Sequence, residues 1–290
     1  MFKGAITALI TPFKNGKVDE KQLVKNVELQ IKSRINGLVP CGTTGESPTL
    51  SHEEHKRVIE IVIKSAGGRV PVIAGTGSNS TEEALELTAH AKKAGADAAL
   101  IVSPYYNKPT QKGLYLHFKT IAEKVNIPVI LYNIPGRCGV TIEPSTMALL
   151  AKLKNIVGVK EAAGSLDAAS QIIQACGQDF DVLSGDDVLC LPIMSIGGRG
   201  VISVISNIIP EQVSAMTAAY AAGDSKKALK LHYELMPLMK AAFIETNPIP
   251  IKTAMKLAGL DTGEMRLPMC GMEESNEKKL ADVLLKMKLI

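Results

Sequence analysis

The chain has 290 residues, 46% of them hydrophobic, enough to bury one large α/β core or two ordinary domains. Its formal charge of +4 comes from interleaved lysines and acids, and aromatics make up only 4%, so nucleic-acid binding through a cationic stripe and stacking rings is not expected. No apolar run is long enough for a membrane span, and the N-terminal apolar stretch stops at Pro12, too early for a signal core. The five scattered cysteines suggest neither a disulfide framework nor a zinc site, so a reducing cytoplasm is the expected setting.

Eight short β-rich runs follow in chain order, beginning near Gly4, Ile35, Arg69, Ala96, Ile127, Asn155, Phe180 and Arg199. Each is apolar without clean alternation, the pattern of strands covered on both faces. Capping-box patterns open three of the intervening helices: Asp19 with Gln22, Ser51 with Glu54, and Ser80 with Glu83. Leu23, Val27 and Ile31 then show helical spacing. Eight units of roughly thirty residues predict an α/β fold, a closed (β/α)8 TIM barrel, over an open doubly wound sheet. After Ser206 only helical patterns remain. The expected division is a barrel core over 1–206 and a C-terminal helical appendage over 207–290 that includes the last barrel helix.

Barrel enzymes gather their chemistry at the C-terminal ends of the strands. The groups expected there are Gly42-Thr43-Thr44-Gly45-Glu46, Tyr105-Tyr106, Tyr132 with Arg137 beyond it, Lys160-Glu161, Gly185-Asp186-Asp187, and the run Gly200 to Ser203. Lys160 is the most informative, because a lysine at the end of the apolar run from Asn155 is exposed to desolvation. Desolvation favours the neutral amine, the nucleophile of Schiff-base chemistry. Tyr132, on the adjacent strand, can carry protons for it. Thr43 and Thr44 offer hydroxyls, the glycines beside them free amides for a carboxylate, and Arg137 a planar fork for a second one. Tyr105 and Tyr106, read as strand neighbours, should face opposite ways. Asp186 and Asp187 in the mouth disfavour a phosphorylated substrate, and Gly75-Thr76-Gly77 reads as a turn. His52 and His55 lack the spacing of a zinc helix, so no metal is expected.

The motifs GTTGES (42–47), SPYYN (103–107), LYNIPGR (131–137), GVKEAAG (158–164), LSGDD (183–187) and GVISV (200–204) resemble the dihydrodipicolinate synthase family, the 4-hydroxy-tetrahydrodipicolinate synthases. The resemblance extends through NPIPIK (247–252) and RLPM (266–269). N-acetylneuraminate lyases and 2-keto-3-deoxy sugar acid aldolases share the lysine and tyrosine, while the paired threonines and Arg137 favour the synthase. A non-catalytic sensor that kept a pyruvate pocket is an alternative of another class. The resemblance implies condensation of pyruvate with L-aspartate 4-semialdehyde through an imine on Lys160, with Tyr132 as proton shuttle and Thr43 as relay. Tyr106 would reach a neighbouring subunit's site. It further implies Thr44, Ile202 and Gly185 around pyruvate, Arg137 on the semialdehyde carboxylate, and no cofactor beyond the covalent imine, whose nitrogen is the electron sink.

By the same resemblance, L-lysine would bind between paired subunits at Ser47, Pro48, His52, His55, Asn79, Glu83 and Tyr105, in a homotetramer built as a dimer of dimers. Pro48 stands where strongly inhibited members carry a small residue, and it has no amide proton to donate. Cys41 and Cys138 replace an expected valine and threonine. Cys138 beside Arg137 suggests activity sensitive to oxidation.

Overall fold

The computed structural model describes all residues, Met1–Ile290. It begins with strand β1 (Gly4–Ala8), a small hairpin of β2 (Phe13–Lys14) and β3 (Lys17–Val18), helix α1 (Glu20–Lys32) and β4 (Gly37–Val39). Next come α2 (His52–Ala66), β5 (Ile73–Gly75), α3 (Thr81–Ala94), β6 (Ala98–Val102), α4 (Gln111–Lys124) and β7 (Val129–Asn133). The short helices α5 (Pro135–Cys138) and α6 (Pro144–Leu150) lead to β8 (Ile156–Glu161), α7 (Leu166–Cys176), β9 (Asp181–Ser184), α8 (Cys190–Ser195) and β10 (Gly200–Ser203). Four helices finish the chain: α9 (Pro210–Ala221), α10 (Ser225–Ala241), α11 (Ile249–Leu257) and α12 (Glu274–Lys286).

The eight predicted runs are the eight strands of one parallel sheet, in the order β4-β1-β10-β9-β8-β7-β6-β5. A parallel bridge between Leu38 and Val72 joins its two ends, with Leu38 N–H donating to Pro71 O at 3.0 Å. The sheet therefore closes into a TIM barrel, and α1 to α4 and α6 to α9 pack side by side around it. The hairpin β2–β3 escaped the strand count. Its Asn15-Gly16 turn has φ of 53° and 74°, the left-handed pair that a two-residue hairpin turn requires.

Alternation along the strands sorts the core into layers. Ile6, Ile73, Leu100, Ile130, Tyr132, Leu183 and Ile202 fill the barrel's interior. Val129, Leu131, Val159 and Val182 point outward against Leu114 and Phe118 of α4 and Ile172 of α7. Each large side chain so buried stabilises the fold by about 1.5–3 kcal/mol. The C-terminal helices share a core with the first and last strands, since Ala5 of β1 and Val201 of β10 lie in one cluster with Val213, Leu238, Ile251 and Leu284.

All three predicted N-caps accept a backbone N–H, but only one of the three reciprocal boxes closes, the Gln22 amide donating instead to Asn26 and to the Leu260 carbonyl. Asp19 accepts from the backbone of Gln22, and Ser51 and Glu54 make the full reciprocal box. Ser80 accepts from Glu83 N–H, but the Glu83 carboxylate turns away from the cap toward His52 and Ser78.

Candidate active site

Tyr132 and Lys160 are direct partners in the β7–β8 register, so both side chains project to the same face, and Tyr132 belongs to the interior layer. Each is only 5% exposed, and Lys160 Nζ lies 4.2 Å from the centroid of the Tyr132 ring. A second buried lysine shows what is unusual here. Lys252, 0% exposed, donates to Glu46 Oε1 at 2.6 Å and to the Thr11 carbonyl at 2.9 Å. Lys160 has no carboxylate within ion-pairing distance, and its amine is held by an aromatic face instead. Gly185 supplies the room: a Cβ there would sit 3.1 Å from Lys160 Cε and 2.6 Å from Ala162 Cβ.

The loop after β4 carries Thr43 and Thr44 between two non-glycine residues in the left-handed region, Cys41 at φ 54° and Glu46 at φ 52°. Thr44 is buried and its Oγ1 accepts from Asn247 Nδ2 at 3.0 Å. The Asn247 carbonyl in turn accepts from the Arg137 guanidinium at 2.9 Å. One residue before α11 thus joins the two groups read from sequence as the carboxylate sites. Ile202 is fully buried in β10, opposite Ile6 of β1.

A cavity of about 390 Å³ opens beside this cluster. Thr43, Tyr132, Arg137 and Cys138 line it together with Ser47, Pro48, His52, His55, Glu83 and Tyr105, whereas Lys160, Thr44, Gly185, Ile202 and Asn79 are not on its wall. Six of the seven residues read as the lysine site therefore share one space with Tyr132; of Asn79, the carbonyl accepts from Asn107 Nδ2 at 2.9 Å. His52 Nε2 lies 2.7 Å from Glu83 Oε1. Burial, with the positive potential of His52 and His90, pushes the His55 imidazole down to about 4, so it is neutral at physiological pH. Its Nδ1 has no protein partner.

Four expectations need correction. Tyr105 and Tyr106 lie beyond the end of β6 in a loop, so strand alternation does not separate them; Tyr106 takes a left-handed φ of 70° and is 89% exposed, while Tyr105 turns to the cavity. Gly75-Thr76-Gly77 is no free turn, because Gly75 ends β5, where a Cβ would meet the Cys41 carbonyl at 2.3 Å. Asp187 is turned into the protein, its Oδ2 accepting the N–H groups of Val204 and Ile205, and burial raises its carboxyl above the usual range. Cys138 is 3% exposed and burial pushes its thiol up to about 11, which removes the thiolate that selective oxidation needs.

A sequence model of the dihydrodipicolinate synthetase family matches residues 1–287. The chain belongs to that family. The 4-hydroxy-tetrahydrodipicolinate synthase of Endomicrobium trichonymphae is 58% identical over 285 residues, 98% of either chain. The chloride-inhibited dihydrodipicolinate synthase of Acinetobacter baumannii, solved with pyruvate, matches 100% of both chains at 46% identity with a TM-score of 0.97. The synthase of Cyanidioschyzon merolae, solved with lysine bound, matches at 40% identity and TM-score 0.97 over 100% of this chain and 99% of that one. The chain is accordingly a lyase of lysine and diaminopimelate biosynthesis on a TIM barrel.

Within this synthase scaffold, sequence reading missed the parts played by Asn247 and Lys252, and it placed Glu46 at the mouth without its lysine partner. The segment around Asn247 drew attention only as a family motif, since its partners Thr44 and Arg137 lie 203 and 110 residues away. A signal for Lys252 did exist: Ile249, Ile251, Ala254 and Met255 surround it on a helix with little polar face, where a lysine must find a partner.

Proposed function

We propose that the chain condenses pyruvate with L-aspartate 4-semialdehyde through an imine on Lys160. The observation that carries this reading is the buried Lys160 amine over the Tyr132 ring, with no acidic partner to hold its proton. The amine adds to the keto carbon and water leaves, with Tyr132 carrying the protons and Thr43 relaying them. Loss of a methyl proton gives the enamine, whose carbon attacks the aldehyde. The substrate's own amine then displaces Lys160 and closes the ring. Thr44, Ile202 and Gly185 surround pyruvate, and Arg137, tethered by Asn247, receives the semialdehyde carboxylate.

Two variants separate these roles. Tyr132→Phe keeps the ring beneath Lys160 but removes the hydroxyl, so kcat is expected to fall by about 10²-fold or more. An unchanged kcat would strip Tyr132 of its proton-carrying role. Arg137→Ala should raise the KM for the semialdehyde and leave that for pyruvate within a factor of about three. Equal KM values for wild type and variant would remove the acceptor assignment.

The exposed Tyr106 reaches a second copy of the chain in a homotetramer built as a dimer of dimers, which sedimentation checks by mass. L-lysine occupies the outer end of the cavity, where Glu83 can pair with an ammonium and the free His55 Nδ1 can meet a polar group. Calorimetric titration showing no heat with L-lysine would remove that ligand. No helix is long and apolar enough to cross a membrane, and a cytoplasmic setting suits the chemistry.

A further inference from the structure

One residue beyond the reactive pair, β7 and β8 meet again. Asn133 stands opposite Glu161 in the register, 1% and 2% exposed, on the face away from Tyr132 and Lys160. Asn133 Nδ2 donates to Glu161 Oε2 at 2.9 Å, the Ala163 N–H donates to Oε1 at 2.8 Å, and the Ile142 N–H donates to Asn133 Oδ1 at 3.0 Å. The Ile142 donor fixes which way the Asn133 amide points. Both Glu161 oxygens accept, which is the pattern of a carboxylate. The parallel ladder ends at this pair: after Ala162 N–H donates to the Asn133 carbonyl at 2.9 Å, Pro135 opens α5 and the strands part.

We propose that the Asn133–Glu161 bridge is a positioning device for the reaction, which sets the register of the Tyr132 phenol against the Lys160 amine by tying the two strand ends together one residue past them. The inference rests on the imine reading above. Neither side chain shares the interior face with the reacting groups. Their hold on the backbone is direct, and a misplacement on the scale of an ångström can cost about 10²-fold in rate.

The bridge can be rebuilt with reversed polarity, which makes it testable. Glu161→Gln sets an amide donor against either the Asn133 amide or the Ala163 N–H. Asn133→Asp sets two carboxylates face to face. When the two changes are combined, the carboxylate introduced at position 133 would accept from Ile142 N–H and from the amide introduced at position 161. The carbonyl of that amide would accept from Ala163 N–H, so all three hydrogen bonds return. Asn133→Ser removes the bridge without opposing like groups and is a milder variant should either single polar swap fail to fold.

Steady-state kinetics on folded protein reads the result. Each bridge-breaking variant is expected to lose about 10-fold to 10²-fold in kcat with the KM for pyruvate within about threefold, and the double variant to recover to within about threefold of wild type. A folded Asn133→Ser variant with wild-type kcat would overturn the inference. So would a double variant no faster than the slower single one. Borohydride trapping of pyruvate on Lys160 of the wild type tests the imine reading itself, and the ratios of kcat to wild type test only the bridge.

Discussion

Lys160→Ala is expected to lower turnover of pyruvate and semialdehyde by about 10⁴-fold or more, the scale on which covalent enzymes respond to loss of their nucleophile. No other amine is placed to replace it. Lys252, the other deeply buried lysine, is committed to Glu46 and the Thr11 carbonyl and lies over the Phe13 ring at 4.4 Å. The loss should be chemical and not structural. Lys160 forms no ion pair whose removal would strand a charge, and its truncation leaves the β8 ladder intact. Circular dichroism should match wild type while turnover vanishes. A folded variant that retained a tenth of the wild-type kcat would require another nucleophile.

Lys252→Met should instead damage the fold. Glu46 is 2% exposed and its Oε1 depends on Lys252, while Oε2 accepts the Arg266 N–H at 3.2 Å. Removing one partner of a buried pair leaves the other uncompensated, at a cost of about 3–5 kcal/mol. For a chain of this size that corresponds to a fall of roughly 5–8 °C in Tm. The strain should also reach the site, because Glu46 closes the left-handed end of the loop that carries Thr43 and Thr44. A raised KM for pyruvate is therefore expected alongside the lower Tm. Adding Glu46→Gln removes the stranded charge, so the double variant should recover part of the loss. Coincident melting of Lys252→Met and wild type would show that the pair contributes nothing.

The contrast between these two lysines marks how far the sequence could be read. Strands and reactive groups were legible because they are local. Apolar runs such as that from Ile127 announce burial on both faces, Ser51 with Glu54 announces a helix start, and Lys160 ends a strand run. The small hairpin at Phe13–Val18 leaves no readable periodicity because its strands are two residues each, although Asn15-Gly16 marks its turn. What escaped depends on contacts across the chain. Lys252 and Glu46 are 206 residues apart, and nothing near either names the other. Asn247 joins Thr44 to Arg137 through its side chain and its carbonyl, and the second contact leaves no trace in residue identity. Tyr105 and Tyr106 misled because the strand ends three residues earlier than the apolar pattern suggests.

Borohydride quenching of the protein with pyruvate, followed by peptide mapping, tests the imine most directly. A reduced pyruvyl adduct on the peptide containing Lys160, absent without pyruvate and absent from Lys160→Ala, is the expected result. An unmodified Lys160 in protein that turns over both substrates would contradict it.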